Sequence, residues 1–475
     1  MFATTDTMTR PPAGSGGARL AGNFAPVVVE RDLADLPVLG ELPRELDGTL
    51  FRNGPNPRFP AADAHWFVGD GMIHAFTLAD GRASYRNRWV RTPKWRAEDR
   101  AGRSLFCGFG QLRPGLPAGA GADGGVANTN VLRHGGRLLA LEEGHLPIAL
   151  DPATLATGDC EDFGGRVEGP FTAHPRIDPA TGELVFFGYH AAGRFSATMS
   201  WGTVAADGAA TRFERFETPF ASMVHDFAAT ANHVLVPVLP LTGSRERAMS
   251  GRPAYAWEPE LASHVGIFRR DAGAASLRWF RSEACYVFHL MNAWEEGDRI
   301  QADVMEMAAP PFPRPDGRPA RTDDRRARLC RWTFDLSAAS DRFERRFLDD
   351  LDGEFPRIDD RRSGLAYRHG WYAAARPDAP DGTYDTIAHM DFATGRRTTF
   401  LLPEGDATSE PVFVPRSPAA REGDGWLLAV VWRAAEARSD LLVFVATAID
   451  RGPVATVALP VRVPFGLHGN WVPAG

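Results

Sequence analysis

Thirteen histidines are spread along 475 residues, and four of them share one setting. They are His174 in Phe171-Thr172-Ala173-His174-Pro175-Arg176, His225 in Ser222-Met223-Val224-His225-Asp226-Phe227, His289 in Val287-Phe288-His289-Leu290-Met291-Asn292, and His468 in Phe465-Gly466-Leu467-His468-Gly469-Asn470-Trp471. Each lies in or beside an apolar or aromatic segment, where packing holds an imidazole that a cavity still reaches. The other nine, His145 and His190 among them, lie mostly in polar turns, and an ordinary structural or surface role is the simpler reading for each. Four imidazoles suit iron, copper, nickel or zinc better than calcium or magnesium. Zinc often takes thiolates, and no two of the four cysteines form a C-x-x-C pair. A ligand set without carboxylate leaves a divalent ion cationic and able to bind O2.

A metal-bound imidazole needs its second nitrogen fixed, commonly by a carboxylate. Three glutamates in apolar or turn-flanked settings are candidates: Glu143 after Leu141, Glu354 in Glu354-Phe355-Pro356-Arg357-Ile358-Asp359, and Glu410 in Ser409-Glu410-Pro411-Val412-Phe413-Val414-Pro415. For each of them taken alone, a surface position is the plainer reading.

The four histidines are 51, 64 and 179 residues apart, so no local motif holds them. The elements that position them must come from distant parts of the chain. Short apolar segments run to its end, for example 137–141, 183–188, 233–239, 299–305, 327–336, 425–432 and 440–446. They are rich in Val, Ile, Phe or Trp and are separated by turn signals such as Asp80-Gly81, Thr181-Gly182 and Asp381-Gly382. This pattern predicts an all-β chain. Residues 1–20, rich in Thr, Pro, Gly and Ala, are expected to be disordered. No linker divides 21–475, so a single β-propeller domain is the expected solution, with one residue per ligand blade sent toward the axis. No fixed repeat is visible, and the blade count does not follow from the residues.

The net charge of −7 argues against a nucleic-acid-binding surface. No apolar targeting segment and no run long enough for a membrane-spanning helix is visible, so a cytoplasmic location is expected, with contact at a membrane surface compatible with the sequence. No G-x-G-x-x-G follows a strand and no P-loop is present, so neither nicotinamide nor flavin is expected. No obligate protein partner is expected.

The chain resembles the carotenoid cleavage oxygenases, non-haem iron enzymes that split conjugated double bonds. Arg52-Asn53-Gly54-Pro55-Asn56-Pro57 and Gly69-Asp70-Gly71-Met72 are similar to the family's N-terminal signatures. The four histidine segments and the two later glutamate segments follow in the family's order. The resemblance implies a seven-bladed propeller with loops forming a cap over an axial iron site. It implies one Fe(II) per chain, held by His174, His225, His289 and His468 and backed by Glu143, Glu354 and Glu410. O2 is then the co-substrate. Thr129, in Ala127-Asn128-Thr129-Asn130, corresponds to a threonine on the side where O2 binds.

One branch of the family cleaves stilbenes and phenylpropenes that carry a 4-hydroxyl group, held by a tyrosine and a lysine. At those positions this chain has Phe109 and Glu142. The change points to an apolar conjugated substrate, a carotenoid or apocarotenoid, cleaved into two carbonyl products. Trp66, Phe67 and Phe312 are candidate lining residues. The alternative is the central double bond of a stilbene or phenylpropene. A propeller that only binds a partner is disfavoured by the completeness of the ligand set. A zinc hydrolase is disfavoured by the lack of a carboxylate base.

Overall fold

Segments that are apolar at every position become inner strands, because both of their faces are covered. Leu184–Tyr189 is buried along its whole length, and Gly425–Arg433 along seven of its nine residues. Arg396–Leu401, at the edge of its sheet, alternates between exposed and half-buried positions. A sheet with covered inner strands and a solvated outer one is the blade of a propeller. The computed structural model describes residues 20–61, 65–106, 124–321, 323–379 and 382–474.

Among these residues seven antiparallel sheets form the blades of a seven-bladed propeller. The second begins with Asn130–His134, the third with Arg176–Ile177, the fourth with Ala228–Ala229, the fifth with Tyr286–Glu296 and the sixth with Asp352–Ile358. The other two blades mix the two ends of the chain. In the first, the late strand Gly469–Pro473 pairs with Gly48–Pro55. In the seventh, the early strand Val38–Gly40 pairs with Ala455–Ala458. The ring is therefore closed twice, by backbone ladders that have no free edge at the join. The fourth blade carries a small hairpin, Leu241–Gly243 with Tyr255–Trp257. Trp257 N donates to Pro313 O (2.9 Å), tying this hairpin to the fifth blade's long connection.

The strands expected from the apolar segments are present, with ends shifted by one or two residues. The helix Pro93–Ala101 was not expected from periodicity. Its signals are local: Thr92 accepts from Trp95 N, proline takes the first helical position, and Gly102 ends the helix at φ +64°. The helix carries Lys94, the only lysine in the chain. Its ammonium is buried between Asp70 Oδ1 (2.7 Å) and Glu98 Oε2 (3.0 Å). Asp70 Oδ2 also accepts from Arg58 N, and Glu98 Oε1 from Leu105 N. A compact ammonium fits this gap, whereas a planar guanidinium would not replace it without moving the helix. Lys94→Met would leave two carboxylates buried face to face. It is expected to lower stability by about 3–5 kcal/mol, read as a drop in the denaturant midpoint. An unchanged midpoint would show that the carboxylates simply protonate at no cost.

Candidate metal centre

Each of the seven blades brings one side chain to the same place. His174 stands just before the third blade's first strand, His225 just before the fourth's, His289 within the fifth's, and His468 just before the closing strand of the first. Glu143 follows Arg137–Leu141 of the second blade, Glu354 lies in Asp352–Ile358 of the sixth, and Glu410 lies between two strands of the seventh. The large sequence gaps are the lengths of blades.

The four imidazoles converge so that one ring nitrogen from each lies within 4.8 Å of the others. Nε2 of His174 is 3.1 Å from that of His225, His225 is 3.1 Å from His289, and His289 is 3.1 Å from His468. Two nitrogens bound at right angles to one metal at about 2.1 Å would stand about 3.0 Å apart. The donor set and its spacing therefore fit a transition-metal ion. Three of the rings have their Nδ1 on a glutamate: His225 on Glu143, His289 on Glu354 (2.5 Å) and His468 on Glu410 (2.9 Å). An Nδ1–H donated to a carboxylate fixes the tautomer and leaves the Nε2 lone pair facing its neighbours. No glutamate among the described residues stands behind His174, whose backbone N is held by Thr172 Oγ1 (2.9 Å). Burial, followed by the charges of His468 and His225, keeps the His174 and His289 imidazoles well below their usual pKa and thus neutral.

The glutamates differ in what holds them. Burial alone would raise Glu410, but Arg357 (3.0 Å) and His468 outweigh it and bring its pKa down to about 2. Glu354 has no such cation beside it, and burial pushes its pKa up to about 8. Its Oε2 takes His289 and Phe355 N (3.1 Å), while its Oε1 has no partner. Phe355, at φ +56°, sits in a bulge of this strand and lays its ring against His289 and His468 (5.3 Å each). Glu143 turns its Oε2 to the Tyr189 hydroxyl (2.6 Å).

Side chains also brace the ends of neighbouring blades. Arg176 Nη2 reaches both oxygens of Asp226 (2.7 and 2.8 Å) and Leu290 O (3.2 Å), and Leu290 N donates to Asp226 Oδ2 (2.8 Å). Three histidine-bearing segments are thereby locked together. Asn53 Nδ2 donates to Ala127 O and Asn130 O, Asn130 Nδ2 to Ala173 O, and Asn470 Nδ2 to Asn130 Oδ1. The residues of this second network were in plain sight within the N-terminal signature, the Asn-Thr-Asn stretch and the segment of His468. Their role was not, because bonds between blades leave no local pattern.

Thr129 accepts His468 N on its carbonyl (3.1 Å) and donates its hydroxyl to Asn128 Oδ1 (3.0 Å). Trp66 and Phe67 pack with Phe355 and Phe465 in the cluster that lies against His289 and His468. Phe312 joins a different core, with Trp257 and Tyr286. Phe109 lies outside the described residues. Glu142 is not the bare anion its type suggested: it binds His145 Nδ1 and accepts Gly144 N (2.7 Å). Its carboxyl is buried, but His145 and these hydrogen bonds hold its pKa below the usual range. His145, set aside as an ordinary turn residue, is its partner three residues on.

Known proteins match nearly the whole chain. The family model described as "Retinal pigment epithelial membrane protein" matches residues 24–473. Isoeugenol monooxygenase of Pseudomonas nitroreducens is 39% identical over 467 residues, covering 96% of this chain and 98% of its own. Carotenoid cleavage oxygenase of Mycobacterium tuberculosis is 35% identical over 515 residues, covering 98% and 99%. The crystal structure of Pseudomonas brassicacearum lignostilbene dioxygenase superposes with a TM-score of 0.92 at 34% identity, covering 96% of this chain and 98% of that one.

The unequal settings of the glutamates lead to unequal effects on stability. Glu410→Gln removes the buried partner of Arg357 and is expected to cost about 3 kcal/mol. Glu354→Gln replaces a carboxyl that burial already keeps mostly protonated at neutral pH, and is expected to cost less than about 1 kcal/mol before any metal is added. Thermal melts of the two metal-free variants compare them directly. Equal losses would mean that Arg357 is not held by Glu410.

Proposed function

Because the chain belongs to the retinal pigment epithelial membrane protein family, that of the carotenoid cleavage oxygenases, we propose that it is an Fe(II)-dependent oxygenase cleaving the alkene of a phenylpropene or stilbene. That it is an oxygenase of this family follows from membership. The metal, the ligand roles and the substrate are our reading. The observation that carries it is the convergence of four imidazoles, three of them with Nδ1 on a glutamate.

In this reading His174, His225, His289 and His468 hold the iron, and Glu143, Glu354 and Glu410 orient three of them. Iron bound there supplies activation of O2 for cleavage of an electron-rich C=C bond into two carbonyl groups. The alkene provides the electrons, so no reduced cofactor is needed. The chain's own part is placement and dryness. Phe355 covers His289 and His468, and Phe288 stands edge-on to His225 (5.6 Å), so apolar rings border three of the imidazoles. Thr129 commits its hydroxyl to Asn128, and what it has left to limit space near the imidazoles is its methyl group.

The changes at Phe109 and Glu142 favoured a carotenoid when read from residue type. The comparisons favour the aryl alkene: the isoeugenol enzyme shares 39% identity against 35% for the carotenoid enzyme. The partnership of Glu142 with His145 removes the argument that a free anion there repels a phenol.

Purified protein is expected to contain one iron per chain, and His225→Ala or His289→Ala to lose it. Their fold should survive, since the blades that carry them are held by their own strand ladders and apolar cores. Metal analysis and melting curves read the two effects apart. In a side-by-side product screen, 4-hydroxyphenylpropenes and hydroxystilbenes should be cleaved faster than apocarotenals. Iron-loaded protein that cleaves only the apocarotenals would overturn the substrate assignment.

A further inference from the structure

The connection between Arg299–Met307 and Arg328–Asp335 of the fifth blade is long and folds back on itself. Near its two ends Ala309 N donates to Asp324 O (2.8 Å), and at its tip Arg314 N donates to Arg318 O (2.8 Å). Arg325 Nη2 holds Ala320 O (2.7 Å), and Trp257 N of the fourth blade's hairpin holds Pro313 O (2.9 Å). Against the hairpin's Trp257 this connection encloses a cavity of about 420 Å³. The bonds just named fix its walls before anything enters.

The lining has two characters. Trp257, Ala309, Pro319 and Ala320 make one part apolar. The other part has three arginines, Arg314, Arg318 and Arg321, against one carboxylate, Asp324. Arginines elsewhere in the fold are committed to buried carboxylates, as Arg176 is to Asp226 and Arg331 to Asp303. These three are not. Arg314 Nη1 lies 3.0 Å from Glu260 Oε1, and Arg318 Nε 2.6 Å from Asp316 Oδ2, with Glu260 70% and Arg318 75% exposed. Solvated pairs of this kind contribute little and exchange readily for a better partner. Arg321 pairs with no carboxylate among the described residues.

These features define a ligand. An excess of guanidinium calls for an anion, and a carboxylate takes two parallel hydrogen bonds from each planar fork. The apolar part, with an indole in it, calls for a flat hydrocarbon body beside that charge. The volume is at the small end of ligand pockets, roughly 300–1,000 Å³, which suits a molecule of one ring. We propose that this cavity is a binding site for a small aromatic carboxylate, with its anion at Arg314 and Arg321 and its ring against Trp257 and Pro319. None of the seven histidine and glutamate side chains at the axis lines it, so the inference does not depend on how the metal centre is read.

Three probes titrated calorimetrically into the purified full chain separate the two parts of the site: benzoate, benzamide and inorganic phosphate. Benzoate should bind about tenfold or more tightly than benzamide, which keeps the ring without the charge, and than phosphate, which keeps charge without the ring. Arg314→Gln combined with Arg321→Gln should weaken benzoate by about tenfold or more. It should leave the melting temperature of the ligand-free protein in place, because neither side chain has a buried partner to lose. Ala320→Trp keeps every charge and fills the space, so it should weaken benzoate as well; it decides the matter if the double variant does not fold. Benzoate is also a ligand for iron, and the variants tell the two places apart. Binding that persists unchanged in them puts the anion elsewhere and overturns the site. Equal affinity for benzoate and benzamide, or for benzoate and phosphate, overturns the ligand class and with it the proposal, as does a wild type that takes up no benzoate.

Discussion

Four imidazole nitrogens brought to within 4.8 Å of one another are the constraint that everything else serves. Imidazoles whose Nε2 atoms are turned toward one another gain nothing from meeting, and each has been largely stripped of water to get there. The fold must therefore force the convergence, and a metal ion is what such a group could hold. A propeller meets that demand because every blade has an inner strand that ends near the axis. Here all seven blades are used, four for a histidine and three for a glutamate. His289 lies within an inner strand, and His174, His225 and His468 stand one to three residues before the first residue of theirs.

Rigidity at the axis does not come from the sheets alone. Strand pairing stops where the blades meet, so the backbone groups there need other partners. Asn53, Asn130 and Asn470 take up carbonyls of neighbouring segments, and Arg176 with Asp226 joins the stretches bearing His174, His225 and His289. The double closure, with Gly469–Pro473 on the first blade and Val38–Gly40 on the seventh, fixes the ring that these braces tighten. His468 lies directly before one closing strand, so holding the ring shut and holding the fourth imidazole are the same act.

Much of this was legible in the residues. The inner strands were visible because they are apolar on both faces. The four histidines stood out because each touches an apolar or aromatic segment. The number of blades was not legible: blades one and seven each combine the two ends of the chain, so no repeat runs through them. Helix Pro93–Ala101 escaped because its evidence lies in its caps rather than in a long period. Glu142 was read by its charge, while its behaviour is set by a histidine three residues away.

The solitary lysine has a bearing on what leaves the site. Carbonyl products condense with unprotonated amines to give imines, and lysine side chains are the usual place on a protein for that reaction. In this chain 52 of the 53 basic residues are arginines, whose guanidinium groups stay protonated and do not condense in that way. The one side-chain amine is Lys94, sealed between Asp70 and Glu98 and kept charged by them, with burial opposing but outweighed. Carbonyl products of the proposed cleavage would thus meet no lysine on this protein's own surface.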